Sequence, residues 1–210
     1  MRPMFFEPVP AGEDPAPPPH LEFPPWEGPS GLEAGVVLAV GQTVARTAKV
    51  VVFLSAIRVF SSGCTLEMEI VSRPAAWPED DLWDLQLAMY RSFRGFRGSR
   101  LPDVLLRLGV RFADGRKAST LENRRPIRGD GVPDGPRLSW WQGSSGPRGG
   151  GNLGFTRFGL WLWPLPPAAS FEFAVEWPSA GIELTIIELD GAAIVAAADR
   201  PQYYWPDGPE

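Results

Sequence analysis

The stretch "FGLWLWPLPP" at 158–167 decides how the chain folds. Five large apolar side chains fall in six positions, and the run then stops on prolines. Phe158, Leu160 and Leu162 alternate with Gly159, Trp161 and Trp163. A strand with one wet face alternates apolar and polar residues; this one is apolar on both faces. With Phe158, Leu160 and Leu162 turned into a sandwich interior, Trp161 and Trp163 point outward. Two indoles on an open strand face form a large apolar patch, which monomers rarely keep in water. Something must cover them. The available covers are the Pro-rich N-terminal arm, the segment 74–102, a second subunit or other protein partner, and, least expected, a ligand. The opposite facing leaves the same problem for the Phe/Leu face.

Working outward from this run, the neighbouring segments also read as strands. "GVVLAVGQTVA" (35–45) and "KVVVFLSAIRVF" (49–60) are β-branched runs of strand length. After the turn "SSG" at 61–63, "CTLEMEIV" (64–71) alternates Cys64, Leu66, Met68 and Ile70 with Thr65, Glu67 and Glu69, which completes a hairpin. "VLLRLGVRFADGRKAST" (104–120) is a second hairpin, turning at Asp114-Gly115. "RLSWW" (137–141) reads as a short strand and "QGSSGPRGGGNLG" (142–154) as a glycine loop. "TRFGLWLWPL" (156–165), "SFEFAVEWP" (170–178) and "GIELTIIEL" (181–189) follow as three strands at short spacing. Asp190 caps a final helix over 191–200, which its alanines favour. Between the two hairpins, the spacing of Leu82, Leu85 and Met89 predicts a short helix at 79–90, and the Arg/Phe/Gly stretch after it reads as loop.

Eight or so short strands, tight turns, no repeat and no strand–long-helix alternation predict an all-β fold, an antiparallel sandwich rather than a barrel. The predicted organisation is a Pro-rich arm over 1–34 laid on the domain, a single sandwich over 35–200 with an insertion at 74–102, and a tail over 201–210. The arm holds too many prolines for a central strand or a helix and is expected to be polyproline II or irregular. Yet it carries Phe5, Phe6, Leu21, Phe23 and Trp26, which a free linker does not need.

Composition agrees with one compact unit. Apolar residues make up 44% of 210, with 24 Pro and 23 Gly, a load that speaks for many turns and short elements. A single cysteine, Cys64, excludes an internal disulfide and a cysteine-only zinc site. The N-terminal residues do not read as a secretory leader, and no apolar run nears the roughly 20 residues that span a bilayer. The expectation is a cytoplasmic protein with no membrane, metal or cofactor partner.

Chemistry is sparsely signalled. "GGGNLG" (149–154) matches G-x-G-x-x-G, but it opens a strand instead of the helix that phosphate binding requires. His20, the only histidine, lies among prolines and offers neither a triad nor a zinc cluster. Cys64 starts a strand on its apolar face and reads as a buried thiol, and "RGD" at 128–130 reads as chance. The carboxylates Glu67, Glu69, Glu172 and Glu176 line outward strand faces, where a suitably spaced pair would suit glycoside hydrolysis and tryptophans would stack on sugars. The sharpest local signal is "YRSFRGFRGSR" (90–100). Arg91, Arg94, Arg97 and Arg100 recur every third residue with Phe93 and Phe96 between them, a composition suited to phosphate contact and base stacking. Residues 91–128 hold 11 of the 20 basic residues, with only Asp103, Asp114 and Glu122 as acids. The remainder of the chain is strongly acidic and repels a polyanion, so the plainer reading is a basic segment lying against acidic faces of the same molecule.

The strand run 35–71, "RLGVRFADGRKA", "LWLWPLPP" and the closing strands to 198 resemble a family of uncharacterised actinobacterial proteins. Its members share a strand–A-R-T–strand–turn–strand opening and a W-P-L-P-P motif near the end. The resemblance spans about residues 35–200 apart from the insertion. It implies one compact domain and carries no activity.

The residues therefore favour a noncatalytic, intracellular protein–protein interaction or structural module, not an enzyme, with Trp161 and Trp163 as its interaction residues and self-association as one form of partnership. The alternative is a binder of nucleic acid or another anionic polymer through Arg91, Phe93, Arg94, Phe96, Arg97 and Arg100. A carbohydrate binder or hydrolase is third.

Overall fold

A computed structural model describes residues 24–73, 101–122, 132–148, 153–200 and 202–205. The predicted helix at 79–90, His20, the RGD tripeptide and the Arg/Phe segment 91–100 lie outside the described residues.

The described chain folds as two antiparallel sheets facing one another. β1 (Val36–Arg46), β2 (Val50–Val59) and β3 (Cys64–Ser72) form a meander. β4 (Arg107–Arg111) and β5 (Lys117–Ser119) make a hairpin. β6 (Arg137–Arg148) and β7 (Leu153–Trp163) make another, and β8 (Ser170–Trp177) and β9 (Ile182–Asp190) a fourth unit. One sheet has the order β1-β2-β3-β7-β6 and the other β5-β4-β8-β9. The edge strands β1 and β9 lie against each other at one side of the sandwich and β6 and β5 at the other. Helix α1 (Gly191–Ala198) closes the β1–β9 side, and the Asp190 carboxylate accepts from the Ala193 N–H at 3.0 Å as the predicted cap.

Alternation explains the core. Cys64, Leu66, Met68 and Ile70 of β3 meet Leu162, Leu160 and Phe158 of β7 on the inner face of the first sheet. Leu108 and Val110 of β4 meet Phe171, Phe173, Val175 and Trp177 of β8 on the inner face of the second. Each buried Phe or Leu contributes roughly 1.5–3 kcal/mol by leaving water, and the core between the sheets holds twelve of them.

Cys64 is fully buried within this core, and burial pushes its thiol up from 9.0 to about 12. A raised acid favours the neutral form in the folded state. Its contribution to stability is therefore complete below pH 9 and is lost as pH rises from there toward 12. At pH 8 the native chain is expected to leave a thiol reagent such as Ellman's almost unreacted, while the urea-unfolded chain releases one equivalent at once. Fast reaction of the native chain would remove Cys64 from the core.

One element departs from expectation. The segment 142–154, read as a glycine loop, is mostly ladder: β6 continues through it to Arg148, and β7 begins at Leu153. The register Gly143↔Phe158 through Arg148↔Leu153 explains this. Backbone pairing with β7 holds residues whose own strand propensity is low. Because β6 is an edge strand, it also tolerates Pro147, which has no N–H to give.

Candidate functional site

Trp161 and Trp163 do point outward from the sandwich. Trp161 shares a rung with Thr65 on one side and Ser139 on the other, while its neighbours Leu160 and Leu162 face the core. Yet Trp161 is 0% exposed. Its cover is the chain's own arm.

Residues Pro24–Glu27 form a turn closed by the Glu27 N–H donating to the Pro24 carbonyl at 2.8 Å. Proline at the second position presets the turn's φ. The turn lies on the outer face at the β7–β6 end. The Trp161 indole N–H donates to the Pro25 carbonyl at 2.9 Å. The Trp26 ring meets Trp163 edge-on, with centroids 6.1 Å apart, and Phe60 meets Trp161 in the same manner at 5.7 Å. Two glycines make room for a further indole. A Cβ at Gly159 would strike Thr65 and the Trp141 carbonyl, and a Cβ at Gly28 would fall inside the Trp141 ring's van der Waals envelope. Trp141 is thus held between sheet and arm.

Past Gly28 the arm runs to the β2–β3 turn. The buried Glu33 carboxylate accepts from the Ser61 N–H at 2.8 Å and from the Ser61 hydroxyl. The Ala34 carbonyl accepts from Arg58 at 3.3 Å. The C-terminal tail then pairs with the arm: Glu33 bridges Tyr203, the Ala34 N–H donates to Gln202 and the Tyr204 N–H to Leu32. Among the described residues, 24–34 lie over Trp161; residues 74–100 of the other intramolecular cover fall outside the description. Within the arm, expected to be polyproline II or irregular, residues 24–27 form a hydrogen-bonded turn. Trp161 is sealed and Trp163 is half-buried beneath Trp26.

The candidate carboxylates do not converge. Glu67 and Glu69 lie on the outer face of the first sheet, and Glu172 and Glu176 on the outer face of the second, on opposite sides of the molecule. Each has an arginine. Arg58 meets Glu67 at 3.0 Å, and Arg157 meets Glu69, Arg111 meets Glu172 and Arg107 meets Glu176, each at 2.6 Å. Register produces three of these pairs, since Glu69↔Arg157, Arg111↔Glu172 and Arg107↔Glu176 are cross-strand partners. The hydrogen bond from Arg111 holds Glu172 below the usual carboxylate range, the reverse of what a general acid requires. Asp114 is likewise lowered, by the backbone N–H and guanidinium of Arg116. Arg107, Arg111 and Arg116 thus pair with carboxylates of the same molecule. Arg91, Phe93, Arg94, Phe96, Arg97 and Arg100 belong to the residues outside the description.

Two clefts remain. One of about 410 Å3 lies where β1, β9 and α1 meet, lined by Leu38, Val40, Ile57, Glu188 and Ile194. The other, of about 290 Å3, lies beside the β4–β5 turn, between Arg111, Phe112, Phe171 and Glu188. The second is also lined by Ser170 and Glu172, and Arg111 engages that Glu172 carboxylate and lowers its pKa. Among the described residues no three His, Cys, Asp or Glu side chains come together to hold a metal ion, and no helix is long and apolar enough to cross a membrane.

Large apolar groups that face water include Val37, Val132, Leu184 and Ile186, and a cluster where the tail meets the arm. Tyr204 and Trp205 are 62% and 65% exposed, and Leu32 and Tyr203 each 42%. Tyr204 is the ladder neighbour of Leu32 and stacks edge-on with Trp205 at 6.2 Å. Sequence reasoning passed over this cluster because a tail of ten residues shows no periodicity; the three consecutive aromatics at 203–205 were the available signal. Comparison with known proteins finds no matching family model, no matching curated protein and no matching solved structure.

Proposed function

We propose that the chain is a noncatalytic protein–protein interaction module of the cytoplasm, and that its contact surface is the aromatic patch where the tail pairs with the arm. The observation that carries this reading is the exposure of Leu32, Tyr203, Tyr204 and Trp205 on a backbone ladder tied to the domain through Glu33 and Ser61. They put on the order of 300 Å2 of apolar surface into water, the size of the largest patch a monomer ordinarily keeps. Tyr and Trp are the side chains that most often dominate binding energy, and the ladder reduces the entropy lost on ordering them. The arginine-paired carboxylates support the noncatalytic part. The lone, buried cysteine suits a reducing compartment.

Tagged full-length protein, cross-linked in its own lysate and sized by light scattering, is expected to appear in a complex with itself or with another protein. A Tyr204→Ser, Trp205→Ser variant is expected to lose that complex while its unfolding free energy stays within about 0.5 kcal/mol of wild type, as exposed substitutions do. A wild-type chain that runs as a monomer and captures nothing would refute the reading.

A further inference from the structure

The tryptophans at the β7–β6 end are more than a packed seam. We propose that Ser139, Trp141, Trp161 and Trp163 form a recognition groove for a proline-initiated turn bearing an aromatic third residue, and that Pro24–Gly28 is its built-in, displaceable occupant. The ligand's chemistry is legible because an example of it is seated there. The second residue of the turn offers its carbonyl to the Trp161 indole N–H, the third lays an aromatic ring edge-on against Trp163, and the fifth must lack a side chain to clear Trp141. Aromatic-lined grooves that take Pro-rich segments are a recurring mode of peptide recognition, because a prolyl backbone loses little entropy on binding.

A second observation indicates that the fit in cis is incomplete. Ser139 is 9% exposed and shares the Trp161 rung, yet its hydroxyl has no hydrogen-bond partner among the described residues. The Trp26 indole nitrogen, buried over the same end of the sheet, has none either. Buried polar groups left unmade carry a cost. A turn from another polypeptide that offers a polar group to Ser139, and whose own ring leaves no buried nitrogen unpaired, holds an advantage against the tethered strap, whose own advantage is local concentration. The partner is thus a protein presenting a Pro-Pro-Trp-type turn.

This proposal rests on a different surface from the tail aromatics, and its test leaves them unchanged. A fluorescein-labelled peptide of residues 21–34 is titrated by anisotropy into full-length wild type, a Gly28→Val chain and a Trp26→Ala chain. The valine is set to clash with Trp141 and eject the strap while leaving the groove's own residues in place; the alanine removes the strap's anchoring ring. A strap that keeps the groove filled more than nine-tenths of the time weakens apparent affinity at least about tenfold, so the two variants are expected to bind at least that much more tightly than wild type. Adding Trp163→Ala to either variant, or replacing the peptide's own Trp26 with Ala, is expected to abolish the gain. If both variants retain a cooperative thermal transition and neither binds the peptide more tightly than wild type, the groove is only a packed seam and the proposal fails. If one variant does not fold, the other decides.

Discussion

Replacing Trp161 with alanine is expected to cost about 3–5 kcal/mol of unfolding free energy, the range for removing a fully buried aromatic ring. Its indole is 0% exposed and lies against Phe60 beneath the Pro24–Glu27 turn. Truncation empties that volume and leaves the Pro25 carbonyl without its donor, a further loss of about 1 kcal/mol. It also detaches the turn, so Trp26, Trp141 and Trp163 become more exposed. Urea denaturation followed by far-UV circular dichroism measures the loss. Trp161→Phe is expected to recover most of the ring's contribution while still lacking the hydrogen bond. If Trp161→Ala costs under 1 kcal/mol, the arm does not seal this face.

Trp177→Ala is expected to be as costly, about 3–5 kcal/mol, for a different reason. Trp177 ends β8 on the inner face, 0% exposed, and its indole N–H donates to the Val104 carbonyl at 3.1 Å. That bond ties the segment leading into β4 to the end of β8, as does the Ser179 N–H donating to the Asp103 carbonyl at 3.0 Å. The substitution opens a cavity inside the sandwich instead of on its outer face. The two variants therefore separate by probe. Trp161→Ala is expected to make the N-terminal arm a target for limited proteolysis before global unfolding, whereas Trp177→Ala lowers the whole transition without selective release of the arm. Early release in both would mean that arm and core are one cooperative unit.

Much of the sandwich was legible because alternation is a backbone property. In β3 and β8 the side chains must fall on opposite faces by turns, and one apolar set per strand named the inner face; β7, apolar on both faces, left its facing open. The capping role of Asp190 followed from its place directly before the alanine-rich run. Features set by pairing between distant segments were not legible. β6 extends through glycine, serine and proline only because β7 supplies its ladder. The match of Arg111 to Glu172 depends on the register of strands separated by 61 positions, and no local pattern encodes it. The tail's pairing with Leu32–Ala34 joins residues near opposite ends of the chain by backbone bonds alone. The site was half legible: two outward indoles demanded a cover, and the arm's aromatics marked it as one candidate. That the cover is a turn centred on Pro25 and Trp26 required the partner surface to be in view.

The arm also shifts where an engineer should cut. Judged by strands alone, a minimal fragment would start just before Val36. Such a piece discards the Pro25 carbonyl, the Trp26 ring and the Glu33 clasp on Ser61, and strips a greasy aromatic flank bare. Its poor yield or precipitation would say nothing about the sandwich itself. The smallest piece that conceals its own indoles begins no later than Pro24.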